Sequence, residues 1–266
     1  MTVAPSPAFW IAIALYVLAT TAMLGVLGGR TSWEKPAFVL AAIAFAAHGV
    51  DIGWRGTQHV HPAQSVREAL GFLAWIFAGG YLIASVRYRL TLAGVVVMPI
   101  ALMLLIAARL SPVGTEAFKL SALGRVHIVL ATVGVGVFAL ASALAGIYLL
   151  EERSLKTKDF DAISFKTKGA PLESLDRLIH RLVWVGFPLF TIAMVLGVMW
   201  TARRGDSWGR PEHVIAMVTW LVFGILLVTR TAYGWRGRRS ARLTLIGFSA
   251  ALIVLAIYLI RRAVGG

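Results

Sequence analysis

PLESLDRLIHRLVWVGFPLFTIAMVLGVMW, residues 171–200, decides the fold. Its first eleven residues carry Glu173, Asp176, Arg177 and Arg181; from Leu182 to Ala202 no Asp, Glu, Lys or Arg occurs. Arg203 and Arg204 then open a short polar stretch, and a second charge-free run covers 213–229 before the sequence RTAYGWRG at 230–237. An apolar run of about 20 residues is long enough to cross a bilayer as a helix. In hydrocarbon the backbone must pair internally, which a helix does by itself. The segment therefore reads as a transmembrane hairpin whose tip carries Trp200, Trp208 and His213.

Working outward, the same pattern recurs at 8–29, 36–50, 69–86, 90–108, 126–150 and 243–260. The run 36–50 is short, but it continues through Asp51 to Trp54 at an interface. The chain is 59% hydrophobic and only 14% charged over 266 residues, far from a soluble composition. The expected fold is all-α, a polytopic membrane helix bundle of about eight transmembrane helices in one domain over 1–266. The first run has no basic segment before it and exceeds a signal-peptide core of about 7–15 residues, so it reads as a retained helix. The run 126–150 exceeds the hydrocarbon thickness and is expected to tilt or project.

The net charge of +14 comes from loop lysines and arginines, as the positive-inside effect and anionic lipid headgroups require. Membrane lipid is the expected partner, and nucleic acid is excluded for want of a basic soluble domain. An N-out, C-out arrangement places 16 of the 26 basic residues inside, which favours that orientation. The longest inner loop is expected at about 151–180 as a solvated connector, with Pro171-Leu172-Glu173-Ser174 starting an amphipathic turn into the next helix. Without cysteine, thiolate metal sites and disulfides are ruled out. Helical spans of this kind fit a bacterial inner membrane.

Five of the six histidines, His48, His59, His61, His127 and His213, fall in the outer half of this topology; His180 is inner. His59 and His61 read as a polar loop lacking a third metal ligand at diagnostic spacing. His48, His127 and His213 lie in or at the mouths of spans, where ionisable groups are costly and functional roles common. His48 and Asp51 share a helix face. Asp51 either orients the imidazole or pairs with Arg55 one turn on. His127 is a natural axial ligand for haem iron. His213 and Trp220, seven apart, share a face. Two other classes carry less weight. Pro99 and Pro188 with Gly94, Gly134 and Gly197 could mark the broken helices of a transporter, and Ser207 with Asp206 and His213 is a chance cluster rather than a hydrolase.

The order GFPLFT, then Gly197, then Trp200, followed by WLVFGILLVTRTAYGWRGRRSARLTLIGF and preceded upstream by HIVLATVGVGVFALASALAG, resembles the cytochrome c assembly family. The resemblance covers about 70–260 and is closest to the family's shorter YpjD-type inner-membrane branch. It implies haem handling on the outer face, with haem b as cofactor and other cytochrome c assembly proteins or another membrane protein as partners. It implies delivery or assembly rather than stand-alone catalysis. His127 matches the family's upstream ligand position. The family's tryptophan-rich loop, with its aspartate and following Pro-Lys-Glu, corresponds to GDSWGRPEHV at 205–214. There Pro211 matches, Trp208 is the one tryptophan retained, and Arg210 stands at the aspartate position. The downstream ligand falls near Val228, which cannot ligate, so His213 must substitute or the iron is five-coordinate. The implied haem site comprises His127, His213, His48, Trp200, Trp208 and Trp220, with Arg204 and Arg210 as propionate partners. The alternative is a non-catalytic accessory subunit on the same scaffold that has lost haem and acts through protein partners.

Overall fold

A computed structural model describes residues 6–62, 64–88, 90–111, 121–158, 170–204 and 211–264. Each apolar run becomes a helix: α1 Pro7–Leu27, α2 Glu34–Thr57, α3 Val66–Arg87, α4 Thr91–Leu110, α5 Ala122–Thr157, α6 Leu172–Arg204, α7 Pro211–Ala232 and α8 Arg238–Val264. A single 3₁₀ turn, Thr31–Trp33, leads into α2. Among the described residues seven helices, α1 to α7, are long and apolar enough to cross a membrane. The eighth, α8, carries the run 243–260, part of whose side chains lie outside the described residues. The protein is a multi-pass, all-helical membrane protein.

The helix starts follow from local chemistry. Ser6 Oγ accepts from Phe9 N–H at 3.2 Å, and Pro7 sits where its missing N–H costs nothing. Ser65 Oγ accepts from Glu68 N–H at 3.3 Å, and Ser121 Oγ does the same for Gly124.

Two expectations need correction. The connector expected at 151–180 is helical at both ends, because α5 runs on to Thr157 and α6 begins at Leu172, where the sequence places an amphipathic turn; residues 159–169 lie outside the described residues. The charged residues at 151–156 and 173–181 extend amphipathic helix ends rather than a solvated loop; Lys156 Nζ pairs with Glu152 Oε1 one turn back at 2.6 Å. At 36 residues α5 is about 54 Å long, well beyond a hydrocarbon core of about 30 Å. Second, Pro99 and Pro188 lie inside the continuous helices α4 and α6 and break neither. The glycines named with them admit close neighbours instead. A Cβ on Gly94 would meet Met23 Cε at 2.8 Å, and one on Gly134 would meet Phe190 Cβ at 3.3 Å.

The chain forms two compact units: Met1–Phe118 with Leu150–Ser174, and Lys119–Leu149 with Leu175–Gly266. In the first, α1 packs on α2 and α4, and α3 on α4. Trp75 stacks on Phe45 at 4.7 Å and donates its indole N–H to the Phe45 carbonyl at 3.1 Å. A Cβ on Gly79 would strike the same Phe45 ring at 2.7 Å.

In the second unit the core is Phe138, Ala141, Val183, Phe190, Phe223 and Leu226. Phe138 stacks on Phe223 at 3.7 Å, and Gly186 leaves room for the Phe138 ring, 2.8 Å from where a Cβ would stand. One end of this unit is closed by Asp176. Its carboxylate accepts from Arg230 Nη2 at 2.6 Å, Arg230 Nη1 at 2.9 Å and Gly237 N–H at 3.0 Å. Arg230 Nη1 also donates to Ser240 Oγ at 2.9 Å. The RTAYGWRG turn thus exists to fold α8 back onto this pair, and Gly234 and Gly237 supply the positive φ values of 66° and 65° it needs.

Because Arg230 and Asp176 are both nearly buried, removing one partner strands the other. Asp176→Ala is expected to destabilise by about 3–5 kcal/mol. Thermal denaturation of the detergent-purified protein checks this; a midpoint equal to that of the wild type would show the clamp to be dispensable.

Candidate haem site

The site is built on α5 and α6 in the second unit. His127 lies near the start of α5, and Ala193 and Gly197 stand one turn apart on α6. Two small residues at this spacing form a groove on one helix face, and the imidazole occupies it. His127 Nδ1 lies 2.6 Å from the Ala193 carbonyl oxygen. A carbonyl only accepts, so Nδ1 carries the proton. In the neutral ring Nε2 then keeps a free lone pair, the state in which imidazole binds a metal. The ring also rests against Gly197, where a Cβ would stand 2.6 Å from Cε1 and 3.0 Å from Nδ1. Gly197 is therefore required for the ring to sit there.

Trp200 follows on α6, its ring 5.9 Å from that of His127 at 42°. His213, near the start of α7, lies within electrostatic reach of His127. Its Nδ1 is buried without a hydrogen-bond partner among the described residues. Of the predicted site residues, His127 and Trp200 are in ring contact, and His213 is close enough to act on His127 electrostatically.

Trp220 sits deeper. Its indole N–H donates to Thr191 Oγ1 at 2.9 Å, and that hydroxyl donates to the Phe187 carbonyl at 2.7 Å. Its ring stacks on Phe187 at 5.7 Å and 22°. It ties α7 to α6 just below the histidines. Val228, where the resemblance put a downstream ligand, is 57% exposed on α7. Trp208 and Arg210 lie outside the described residues, as does the side chain of Arg204.

His48 belongs to the first unit and is 1% exposed. Asp51 does not hydrogen-bond to its Nδ1. That carboxylate accepts from Ser6 Oγ at 2.6 Å and Arg55 Nε at 3.0 Å, and Arg55 Nη1 reaches Glu68 Oε1 at 2.8 Å. Of the two roles open to Asp51, the ion pair is the one formed. Among the described residues no group of three or more His, Asp or Glu side chains is placed to hold a metal ion. His59 occupies a left-handed turn at φ 60°.

Sequence reasoning missed Ala193 as the acceptor and, for Gly197, offered a family-motif position and a helix break but not a close approach. The available signal was the small-residue pair one turn apart facing a helix that bears a histidine.

A family profile described as Cytochrome C assembly protein matches residues 64–264. The chain belongs to this family. Its role is accordingly haem handling in cytochrome c assembly. It is 28% identical over 241 residues to the cytochrome c biogenesis protein CcsA of Mesostigma viride, covering 79% of this chain and 76% of that one. It is 31% identical over 215 residues to CcsA of Guillardia theta, covering 70% and 69%. To CcsA of Microcystis aeruginosa it is 27% identical over 241 residues, covering 70% and 73%. No solved structure matches the chain.

The cradle makes a stability prediction independent of any cofactor. Gly197→Ala overpacks the contact and is expected to cost about 1–3 kcal/mol. In a His127→Ala background the imidazole is gone, and most of that cost disappears. Denaturation midpoints of the four proteins check this; an equal cost in both backgrounds would mean the ring does not occupy the groove.

Proposed function

We propose that the end of the second unit bearing His127 is where this protein holds haem, and that His127 Nε2 is the axial ligand. One observation carries the reading: Nδ1 is committed to the Ala193 carbonyl, which leaves Nε2 unprotonated in the neutral ring and fixes the ring's orientation. Bound haem would supply an iron for which neutral imidazole nitrogen is a ligand. Everything else is done by the chain. Gly197 admits the ring, Ala193 selects its tautomer, and His213, with a buried unpaired nitrogen nearby, is the second ligand. Trp200 and Trp208 provide the stacking surface. Arg204 and Arg210 pair with propionates. Trp220 holds α7 in place beneath them through Thr191. His48, in the first unit, stays a candidate on residue type and depth alone.

The cofactor type is haem b, the site faces outward in an N-out, C-out topology, and the membrane is a bacterial inner membrane. Other cytochrome c assembly proteins are the partners. The resemblance to the YpjD-type branch is a finer placement than the relatives described above, which carry the CcsA name.

The test is the absorption spectrum of detergent-purified protein, oxidised and then dithionite-reduced. Wild type is expected to show a Soret band, and His127→Ala to lose it. His213→Ala is expected to keep haem but shift the bands from six- to five-coordinate form. Full haem content in His127→Ala would overturn the ligand assignment. A wild-type spectrum that stays flat with added haem would return the chain to the accessory-subunit reading.

A further inference from the structure

We propose that Tyr16, Thr20 and His48 form a water-binding site buried in the first unit. Tyr16 and Thr20 are one turn apart on α1 and face the same way, and the His48 ring on α2 meets the Tyr16 ring edge-on at 5.9 Å. The three residues are 0%, 9% and 1% exposed. Tyr16 Oη, Thr20 Oγ1 and His48 Nδ1 are all buried without a hydrogen-bond partner among the described residues.

Thr20 departs from the habit of this chain. Thr21, Thr132, Thr191, Thr219 and Thr244 each donate to a carbonyl one turn back on their own helix. That satisfaction is open to any helical threonine, yet Thr20 Oγ1 does not take it. Unpaired polar atoms inside a membrane bundle are costly. Tyr16 and His48 are in ring contact and Thr20 lies one turn along α1 from Tyr16; each can donate or accept, so together they offer the two to four partners a buried water requires. Aspartate chemistry is not the explanation, since Asp51 is already satisfied by Ser6 and Arg55. All three residues precede the 64–264 family match, so the site does not rest on the haem reading.

Tyr16→Phe and Thr20→Val remove one hydroxyl each with almost no change of shape. Infrared spectra of the full-length protein in H₂¹⁶O and H₂¹⁸O, compared between wild type and variants, identify a buried water by its isotope-sensitive O–H stretch. The expected result is such a band in wild type, absent from both variants. Each variant is also expected to lower the thermal midpoint by about 2–4 °C, with the double variant falling short of the sum. An isotope-insensitive difference between wild type and variants would mean that the hydroxyls bond to one another directly, and would overturn the proposal. Variants as stable as wild type or more so would show the cluster to be dry, with the same consequence.

Discussion

The close approach of α5 and α6 governs the second unit. Lipid tails are as apolar as leucine, so helices in a membrane gain little by burying leucine against leucine; they associate through tight packing over small residues and through hydrogen bonds. Gly134 lies against Phe190, Gly186 against Phe138, and Gly197 against His127. These three contacts run in antiparallel register along the pair, so a shift of one helix would break them together. At one end of the register sits the imidazole. Its position is thus a consequence of how the helices meet, and its hydrogen bond to Ala193 is the polar counterpart of the same contact.

Much of this was legible in the sequence. Charge-free runs near the bilayer span located every helix, since the hydrocarbon penalises charge wherever it falls. His127 stood out because an ionisable group at the mouth of a span has few structural uses. The start of α6 was legible in Pro171-Leu172-Glu173-Ser174, but the far end of α5 was not. Glu151, Glu152, Arg153 and Lys156 look like loop residues to a hydropathy argument, whereas i,i+4 pairing such as Lys156 with Glu152 keeps them helical. Gly197 was ambiguous for a different reason: glycine permits both a broken helix and a close approach, and only the partner tells them apart. The partner was 70 residues away in sequence. For Asp51, two partners at helical spacing were in view, and the guanidinium, a full positive charge with several donors, won over the neutral ring.

The polar groups of this bundle divide by whether the chain itself satisfies them. Asp176 has Arg230 and Gly237; Asp51 has Ser6 and Arg55; Trp220 has Thr191. Each is closed within the fold and serves to hold helices together. His213 Nδ1, His48 Nδ1, Tyr16 Oη and Thr20 Oγ1 have no partner among the described residues, as is also so for Arg67 Nε and Ser85 Oγ. In a soluble protein an open polar atom near the surface finds solvent at little cost. Within a membrane span that route is restricted, and an unpaired atom points to something other than the chain. The two groups of open atoms differ in what they offer. Near His213 stands a second imidazole, that of His127. His48 meets the Tyr16 ring edge-on at 5.9 Å, and Thr20 lies one turn along α1 from Tyr16. The same rule, applied to different neighbours, sets the two regions apart, and the His127 proton on Nδ1 leaves Nε2 an acceptor.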